Sequence, residues 1–208
     1  MNFLAHLYLS PPTPDALLGS LLGDFVKGPV EHAGYNPEIT AAIRLHRAID
    51  TFTDAHPIVL ASKARISPAR RRYAGILVDV FYDHFLARDW RRFHPEPLER
   101  FAASTYLALS RTTQVLPDRM AHMLPHLVAG DWLTSYRELD GIHLALDRMS
   151  RRVRPDNPLL GSAAELETQL PAFEADFHAF FEQLRGWVAA DITPAADRST
   201  VDRVPAPL

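Results

Sequence analysis

Apolar residues recur at intervals of three and four along most of this chain, which is the spacing of one face of an α-helix. The first three such segments each open with a capping residue followed by proline, whose fixed φ suits the first turn of a helix. Those openings are Thr13-Pro14, Asn36-Pro37 and Ser67-Pro68. We therefore predict helices from 13 to about 28, from 36 to about 52 and from 67 to about 88.

The rest of the chain continues the helical pattern. Further helices are predicted after Pro57 and over 97–114, 118–129, 131–149 and 162–188. Pro171 is expected to kink or split the last of them. Alternation with a period of two is absent over any useful length, so no sheet is predicted. The expected fold is all-α, with a single-domain bundle of about seven to eight helices over 1–190 and a flexible tail over 191–208.

Composition narrows the class of protein. The 208 residues, 47% of them hydrophobic and 23% charged, can bury one sizeable core. The absence of cysteine excludes disulfides, thiolate ligands and cysteine nucleophiles, and leaves His and carboxylates to bind any metal. The net charge of -3 gives no overall attraction to nucleic acid, and no stretch approaches the roughly 20 apolar residues that span a bilayer. We expect a cytoplasmic protein with neither nucleic acid nor membrane as partner.

His and Asp residues spaced four apart mark two of the predicted helices. His46 and Asp50 share one face of the second helix, while Asp79 and Asp83 share one face of the third, where His84 adjoins them. The third helix is apolar enough to be buried, and buried carboxylates require a cation or several hydrogen-bond donors. Carboxylates and imidazoles that converge from two helices are typical of divalent-metal sites built without thiolates.

Two more polar residues, His6 and Asp24, interrupt apolar runs. Each is a candidate metal ligand, a partner that orients a ligand, or a plain buried hydrogen-bonding group. Arginines indicate anion binding as well, because Arg47 lies beside the first His-Asp pair and Arg151 and Arg152 end a predicted helix. Their guanidinium groups would recognise phosphate or an acidic protein, or would only cap the helix and stay in solvent.

Four motifs resemble those of the acyl carrier protein phosphodiesterases in both order and spacing. They are Met1-Asn2-Phe3-Leu4-Ala5-His6-Leu7, Leu22-Gly23-Asp24-Phe25-Val26-Lys27-Gly28, His46-Arg47-Ala48-Ile49-Asp50 with Thr53-Asp54, and Asp79-Val80-Phe81-Tyr82-Asp83-His84-Phe85-Leu86. The resemblance covers about residues 1–185 and is sharp to about 90. That family is similar in character to the helical His-Asp metal phosphohydrolases, so the resemblance implies an HD-domain-like bundle.

The resemblance implies a hydrolase that removes the 4′-phosphopantetheine arm from holo acyl carrier protein, in fatty-acid biosynthesis and lipid metabolism. It would cut the phosphodiester at the carrier serine with a divalent metal, Mn²⁺ being favoured over Mg²⁺ or Fe²⁺. The implied metal ligands are His6, Asp24, His46, Asp50, Asp79, Asp83 and His84. Asp24 and Arg47 are the candidate catalytic residues. The candidates for substrate contact are Phe25, Tyr82, Arg151 and Arg152.

Two other functions fit the same residues. An HD-type phosphohydrolase that acts on nucleotides or another small phosphodiester would use the same His and Asp side chains. A non-catalytic helical binding module would use them as a buried hydrogen-bond network. Release of nucleoside from nucleotides would favour the first alternative, and purified protein that retains no metal would favour the second.

Overall fold

The computed structural model describes residues 1–151 and 157–192, which are predominantly helical and include no β-strand. The α-helices in this part of the chain are α1 (Phe3–Leu9), α2 (Pro14–Leu22), α3 (Pro37–Ala55), α4 (Pro57–Arg65), α5 (Ala74–Arg88), α6 (Trp90–Phe93), α7 (Leu98–Ser110), α8 (Asp118–Ala129), α9 (Trp132–Ser135), α10 (Leu139–Ser150), α11 (Ala164–Thr168) and α12 (Leu170–Ile192). Two 3₁₀ helices, Val30–His32 and Pro68–Tyr73, join them. The all-α class is confirmed. Of the predicted tail, residues 193–208 lie outside the described part of the chain.

The described residues form more helices than the seven to eight predicted, because several predicted segments are divided. The segment from Ser67 begins as a 3₁₀ helix and becomes α-helical at Ala74, and the segment 131–149 is interrupted between α9 and α10. The last segment divides just before Pro171, which lacks a backbone donor and suits the first turn of a new helix. Helices α1 and α6 have seven and four residues, too few for a periodic pattern to predict them.

Two of the three predicted capping residues cap the amino-terminal ends of their helices, as expected. The Thr13 hydroxyl accepts from the Ala16 amide at 3.3 Å, and Asn36 Oδ1 accepts from the Ile39 amide at 2.9 Å. Ser67 is different, because both its amide and its hydroxyl donate to the Glu165 carboxylate. This third capping residue therefore links the start of its 3₁₀ helix to α11 instead of capping it.

The hydrophobic core surrounds α5, which packs against α1, α4, α10 and α12. Phe177 of α12 stacks on Phe85 of α5, and Phe81 meets Phe173 edge to face at 5.2 Å. Helices α2 and α3 form the most extensive helix pair, and they approach closely at Gly19, where a Cβ would collide with Ala42. The packing thus places α1 beside both α2 and α5, next to the polar face of α3. No described helix combines the length and the apolar character needed to cross a bilayer.

Candidate active site

Helices α1 and α3 bring two imidazoles and a carboxylate together. The rings of His6 and His46 stack with their centroids 3.7 Å apart, and their Nε2 atoms lie 3.1 and 3.2 Å from the two oxygens of Asp50. One ligand atom from each of these three residues lies within 4.8 Å of the others, which is close enough for one metal ion to bind all three. Both histidines are buried, whereas the carboxylate is partly exposed.

A backbone carbonyl fixes the orientation of His46. Its Nδ1 lies 2.7 Å from the carbonyl oxygen of Ser20, and because a carbonyl can only accept, Nδ1 must carry the hydrogen. Nε2 is thereby turned towards Asp50 and towards Asp24, whose Oδ1 lies 3.6 Å away. Gly23 allows this placement, since a Cβ there would overlap the imidazole. A metal-binding histidine is commonly oriented in this way by a partner on its other nitrogen.

The carboxylates control the charge of the two histidines. Burial lowers the pKa of His46, but hydrogen bonds to Asp24 and Asp50 outweigh it and raise that pKa to about 9. Burial is the larger effect at His6, where it lowers the pKa to about 4. Although burial opposes ionisation of Asp50, its hydrogen bonds to both imidazoles hold its pKa below the usual range. In the absence of metal, the cluster therefore carries its positive charge on one imidazole only.

Asp79 lies next to this cluster, across the amino group of Met1. The Met1 nitrogen is 3.1 Å from Asp79 Oδ1 and 3.5 Å from Asp50 Oδ1. Burial lowers the pKa of this amino group, yet the facing carboxylates raise it overall, to about 10. Burial also raises the pKa of Asp79 itself. A second cation is thus part of the charge balance among the carboxylates.

Asp83 was predicted to be a ligand, but the structure places it at the start of α1. Its oxygens accept from the backbone amides of Leu4 at 2.8 Å and Ala5 at 3.1 Å. The side chain is fully buried, and burial raises its pKa to about 7 against the opposing effect of these two amides. Asp83 therefore anchors the helix that presents His6, and it does not itself join the cluster.

Two neighbouring residues of α5 point away from the cluster. The Nδ1 of His84, another predicted ligand, donates to the carbonyl oxygen of Tyr136 at 2.9 Å, and burial lowers the pKa of its ring. Tyr82 was predicted to line a substrate channel, but it is fully buried and its hydroxyl lies 2.8 Å from that of Ser62. Residues on successive positions of a helix face different directions, so the apolar run around Asp83 could not distinguish them.

The predicted arginines also lie elsewhere than expected. Arg47 donates to the carbonyls of Val26 at 2.8 Å and Gly28 at 2.9 Å, which holds the loop that carries Asp24. Arg151 is exposed at the end of α10, where it lines a separate surface cavity. Arg152 lies outside the described residues.

A cavity of about 450 Å³ opens beside the cluster. Asp24 and Asp79 contribute to its wall, as does Phe25, which was predicted to contact substrate. The lining residues that the sequence analysis missed include Lys27, Ile76, Val80, Arg119, Met123, Met149 and Leu159. Most of these belong to α5, α8 and α10, and no periodicity within one helix shows which other helices it will meet. A cavity of this size is typical of small-molecule sites, which measure about 300–1,000 Å³.

A second group of potential ligands occurs among the described residues, at Asp89, Glu174 and His178. Arg88 donates to both carboxylates, at 2.9 Å to Asp89 and 2.5 Å to Glu174. The guanidinium group already provides the positive charge that a metal would supply, so this group is a surface ion-pair network.

The first cluster, by contrast, fits a divalent metal. Imidazole and carboxylate donors together suit Mn²⁺, Fe²⁺ or Zn²⁺, and the three residues come from two helices held firmly by packing. The donor set therefore suits a divalent metal, and metal binding stays a prediction.

Comparison with known proteins identifies the family. Residues 1–184 match the family model described as acyl carrier protein phosphodiesterase. Similar curated proteins include the acyl carrier protein phosphodiesterase of Enterobacter sp. (strain 638), 39% identical over 88% of this chain and 95% of its own length. That of Pectobacterium atrosepticum is 37% identical, with the same coverage of each chain. No solved structure gives a significant match. The chain therefore belongs to the acyl carrier protein phosphodiesterase family.

Proposed function

We propose that this protein is a metal-dependent phosphodiesterase that converts holo acyl carrier protein into apo carrier and 4′-phosphopantetheine. The observation that carries the proposal is the convergence of His6, His46 and Asp50 beside a cavity large enough for a small-molecule arm. Membership of the family supports the substrate, since the curated relatives carry the name acyl carrier protein phosphodiesterase.

His6, His46 and Asp50 would hold the metal, with Asp24 and Asp79 as nearby carboxylates. We propose Mn²⁺ as the preferred ion, with Mg²⁺ or Fe²⁺ as substitutes. Such an ion would polarise the phosphodiester and lower the pKa of the attacking water. The hydrogen bond that Nδ1 of His46 donates to the Ser20 carbonyl would leave Nε2 free to bind the ion, and both imidazoles are buried.

Asp24 is the best-placed general base in this account. Its side chain is 50% exposed and lines the cavity, and in the metal-free protein its interaction with the neighbouring His46 outweighs the effect of burial and lowers its pKa. It is therefore ionised at neutral pH and can accept a proton from water as the oxygen attacks phosphorus. The bond between phosphorus and the serine oxygen then breaks, the oxygen leaves with the bonding electrons and is protonated, and the phosphate stays on the arm.

Product analysis with a chelator control tests this proposal. Holo carrier incubated with the protein and Mn²⁺ should lose its prosthetic arm, and phosphate should be found on the released pantetheine, not on the carrier serine. Chelation of the metal should stop the reaction. A nucleotide mixture treated in parallel tests the HD-type alternative, because release of nucleoside with an intact holo carrier would reject the proposal. Failure of the protein to bind Mn²⁺ would instead support the alternative that it is a non-catalytic helical binding module.

A further inference from the structure

Two basic side chains in the cavity have no role in the chemistry proposed above. Lys27 follows α2 in the loop that carries Asp24, and Arg119 lies in the first turn of α8. Lys27 Nζ donates to the backbone carbonyl of Asp24 at 3.0 Å. Within 1–151 and 157–192, neither cation forms an ion pair with a carboxylate, in contrast to Lys63, which pairs with Asp54.

The same cavity contains a carboxylate that would repel an anionic substrate. Asp24 and Asp79 both line it; the Met1 amino group, 3.1 Å from Asp79, offsets the charge of that carboxylate, whereas a phosphodiester brought to Asp24 would meet like charge. Lys27 and Arg119, which form no ion pair with a carboxylate among the described residues, are positioned to offset this repulsion, because Lys27 adjoins Asp24 and Arg119 shares the cavity wall. An anion is therefore the group that these two side chains are suited to bind.

The remaining wall is mostly apolar. It consists of Phe25, Ile76, Val80, Met123, Met149 and Leu159, and residues 1–3 also line the cavity. Methionine is unbranched and polarizable, so it adapts to an irregular, extended ligand better than branched side chains do. Arg119 and Met123 lie one turn apart on α8, which places the charged and the adaptable parts of the wall next to each other.

We propose that this cavity binds the 4′-phosphopantetheine arm, with Lys27 and Arg119 on its phosphate and Met123 and Met149 along its pantetheine chain. The identity of the arm rests on the proposed function. The chemistry required is an anionic phosphate joined to a long, weakly polar chain, which matches a cavity that combines two cations with an apolar wall.

Calorimetric titration of the full chain with two free probes, 4′-phosphopantetheine and pantetheine, tests this inference. A chelator is present throughout, so that phosphate affinity reports on the protein alone. Wild-type protein should bind the phosphorylated probe more tightly. The double variant Lys27→Gln, Arg119→Gln should lose at least about tenfold in affinity for it and keep its affinity for pantetheine. The double variant Arg72→Gln, Arg91→Gln, at two exposed arginines outside the cavity, is the matched charge control and should behave as wild type.

A variant with a larger side chain tests the apolar part of the cavity wall. Ile76 is 41% exposed at the cavity wall, so the Ile76→Trp variant should fold normally. Its affinity for both probes should fall to the same extent. The control is Leu107→Trp, at a 51% exposed position of α7 outside the cavity, which should leave the affinity for both probes unchanged. If Ile76→Trp binds both probes as wild type does, the arm does not occupy this cavity.

The two proposals fail in different ways. The subsite is overturned if wild-type protein binds neither probe. It is also overturned if the double variant loses affinity for both probes equally, or keeps its affinity for both. Cleavage of holo carrier is measured separately, and cleavage by a protein that fails the probe test would leave the proposed function standing. A protein that binds the phosphorylated probe through Lys27 and Arg119 but leaves holo carrier intact would retain the subsite and lose the function.

Discussion

His6 and His46 stack face to face with their ring centroids 3.7 Å apart, and their Nε2 atoms approach opposite oxygens of one carboxylate, Asp50. The two imidazoles come from different helices, α1 and α3, so the contact joins the amino-terminal segment to the rest of the bundle. Two imidazoles this close cannot both be protonated without strong repulsion, which agrees with the opposite directions of their pKa shifts. The relationship makes Asp50 the centre of the cluster.

Replacement of Asp50 should abolish metal binding. Asp50→Asn removes the carboxylate charge that both imidazoles face, so we expect Mn²⁺ affinity to fall by more than about a hundredfold. Wild-type protein with Mn²⁺ at about a hundred times its Kd should gain about 2.7 kcal/mol of unfolding free energy, and the variant should gain almost nothing. Thermal unfolding with and without metal measures this difference.

The control for this change lies on the same helix. Asp54 is 72% exposed and, within the part of the chain that the structure describes, pairs with Lys63 alone, so Asp54→Asn should keep the full stabilisation by Mn²⁺. Equal metal stabilisation of the Asp50 variant and wild type would contradict the assignment of Asp50 as a ligand.

Gly23→Ala should damage the site through a purely steric effect. The backbone of Gly23 has φ -50° and ψ -38°, which alanine adopts freely, but its Cβ would overlap the ring of His46. We expect the ring to be displaced and Mn²⁺ affinity to fall at least about tenfold, as measured by isothermal titration. Gly186→Ala in α12 meets open space and should gain about 0.5–1 kcal/mol in stability with no change in metal affinity. Wild-type affinity in the Gly23 variant would show that the ring does not need this space.

Asp83→Asn should loosen α1 and change the pH dependence of stability. The amide offers one acceptor where the carboxylate serves two backbone donors, so a cost of about 1–3 kcal/mol is expected. Because the folded-state pKa of Asp83 is raised from 3.8 to about 7, its contribution to stability is complete below about pH 4 and is lost as pH rises through about 7.

Chemical denaturation from pH 4 to 8 tests the Asp83 prediction. The stability of wild type relative to Asp83→Asn should fall as pH rises through this window. A constant difference between wild type and the Asp83 variant would mean that the carboxyl does not titrate as the structure indicates.

Arg47 should act through the loop that it holds. Arg47→Gln removes the paired donation to Val26 and Gly28, so we expect faster amide hydrogen exchange around residues 24–28 and a fall in kcat of about tenfold to a hundredfold. The affinity for free 4′-phosphopantetheine should fall much less than in the Lys27 and Arg119 double variant. A selective loss of that affinity, with unchanged exchange, would indicate that Arg47 contacts the phosphate directly.

The sequence was sufficient to predict the helical class and the pairing of His46 with Asp50, because both depend on spacing within one helix. The same spacing did not predict the different roles of Asp79 and Asp83. These two carboxylates are one helical turn apart, and the backbone of α1 occupies the space in front of the second one. Which carboxylate meets a backbone amide depends on how α1 docks, and local periodicity contains no information about docking.

The cavity illustrates the same limit on a larger scale. Phe25 could be predicted from its place beside Asp24, whereas Arg119 and Met149 lie more than ninety residues away along the chain and reach the cavity only through the packing of α8 and α10. Arg47 followed the expected pattern of an arginine near a phosphate site, yet two of its N–H groups donate to backbone carbonyls. Sequence patterns thus identified which residue types form the site, but not which groups these residues contact.

The mass of the carrier protein tests the central claim most directly. Holo acyl carrier protein is incubated with Mn²⁺ and wild-type protein, Asp50→Asn or Asp54→Asn, and its intact mass is followed over time. The account predicts complete loss of the 4′-phosphopantetheine arm with wild type and Asp54→Asn, and retention of the arm with Asp50→Asn. An intact arm after prolonged incubation with wild type, or equal cleavage by the Asp50 variant, would contradict it.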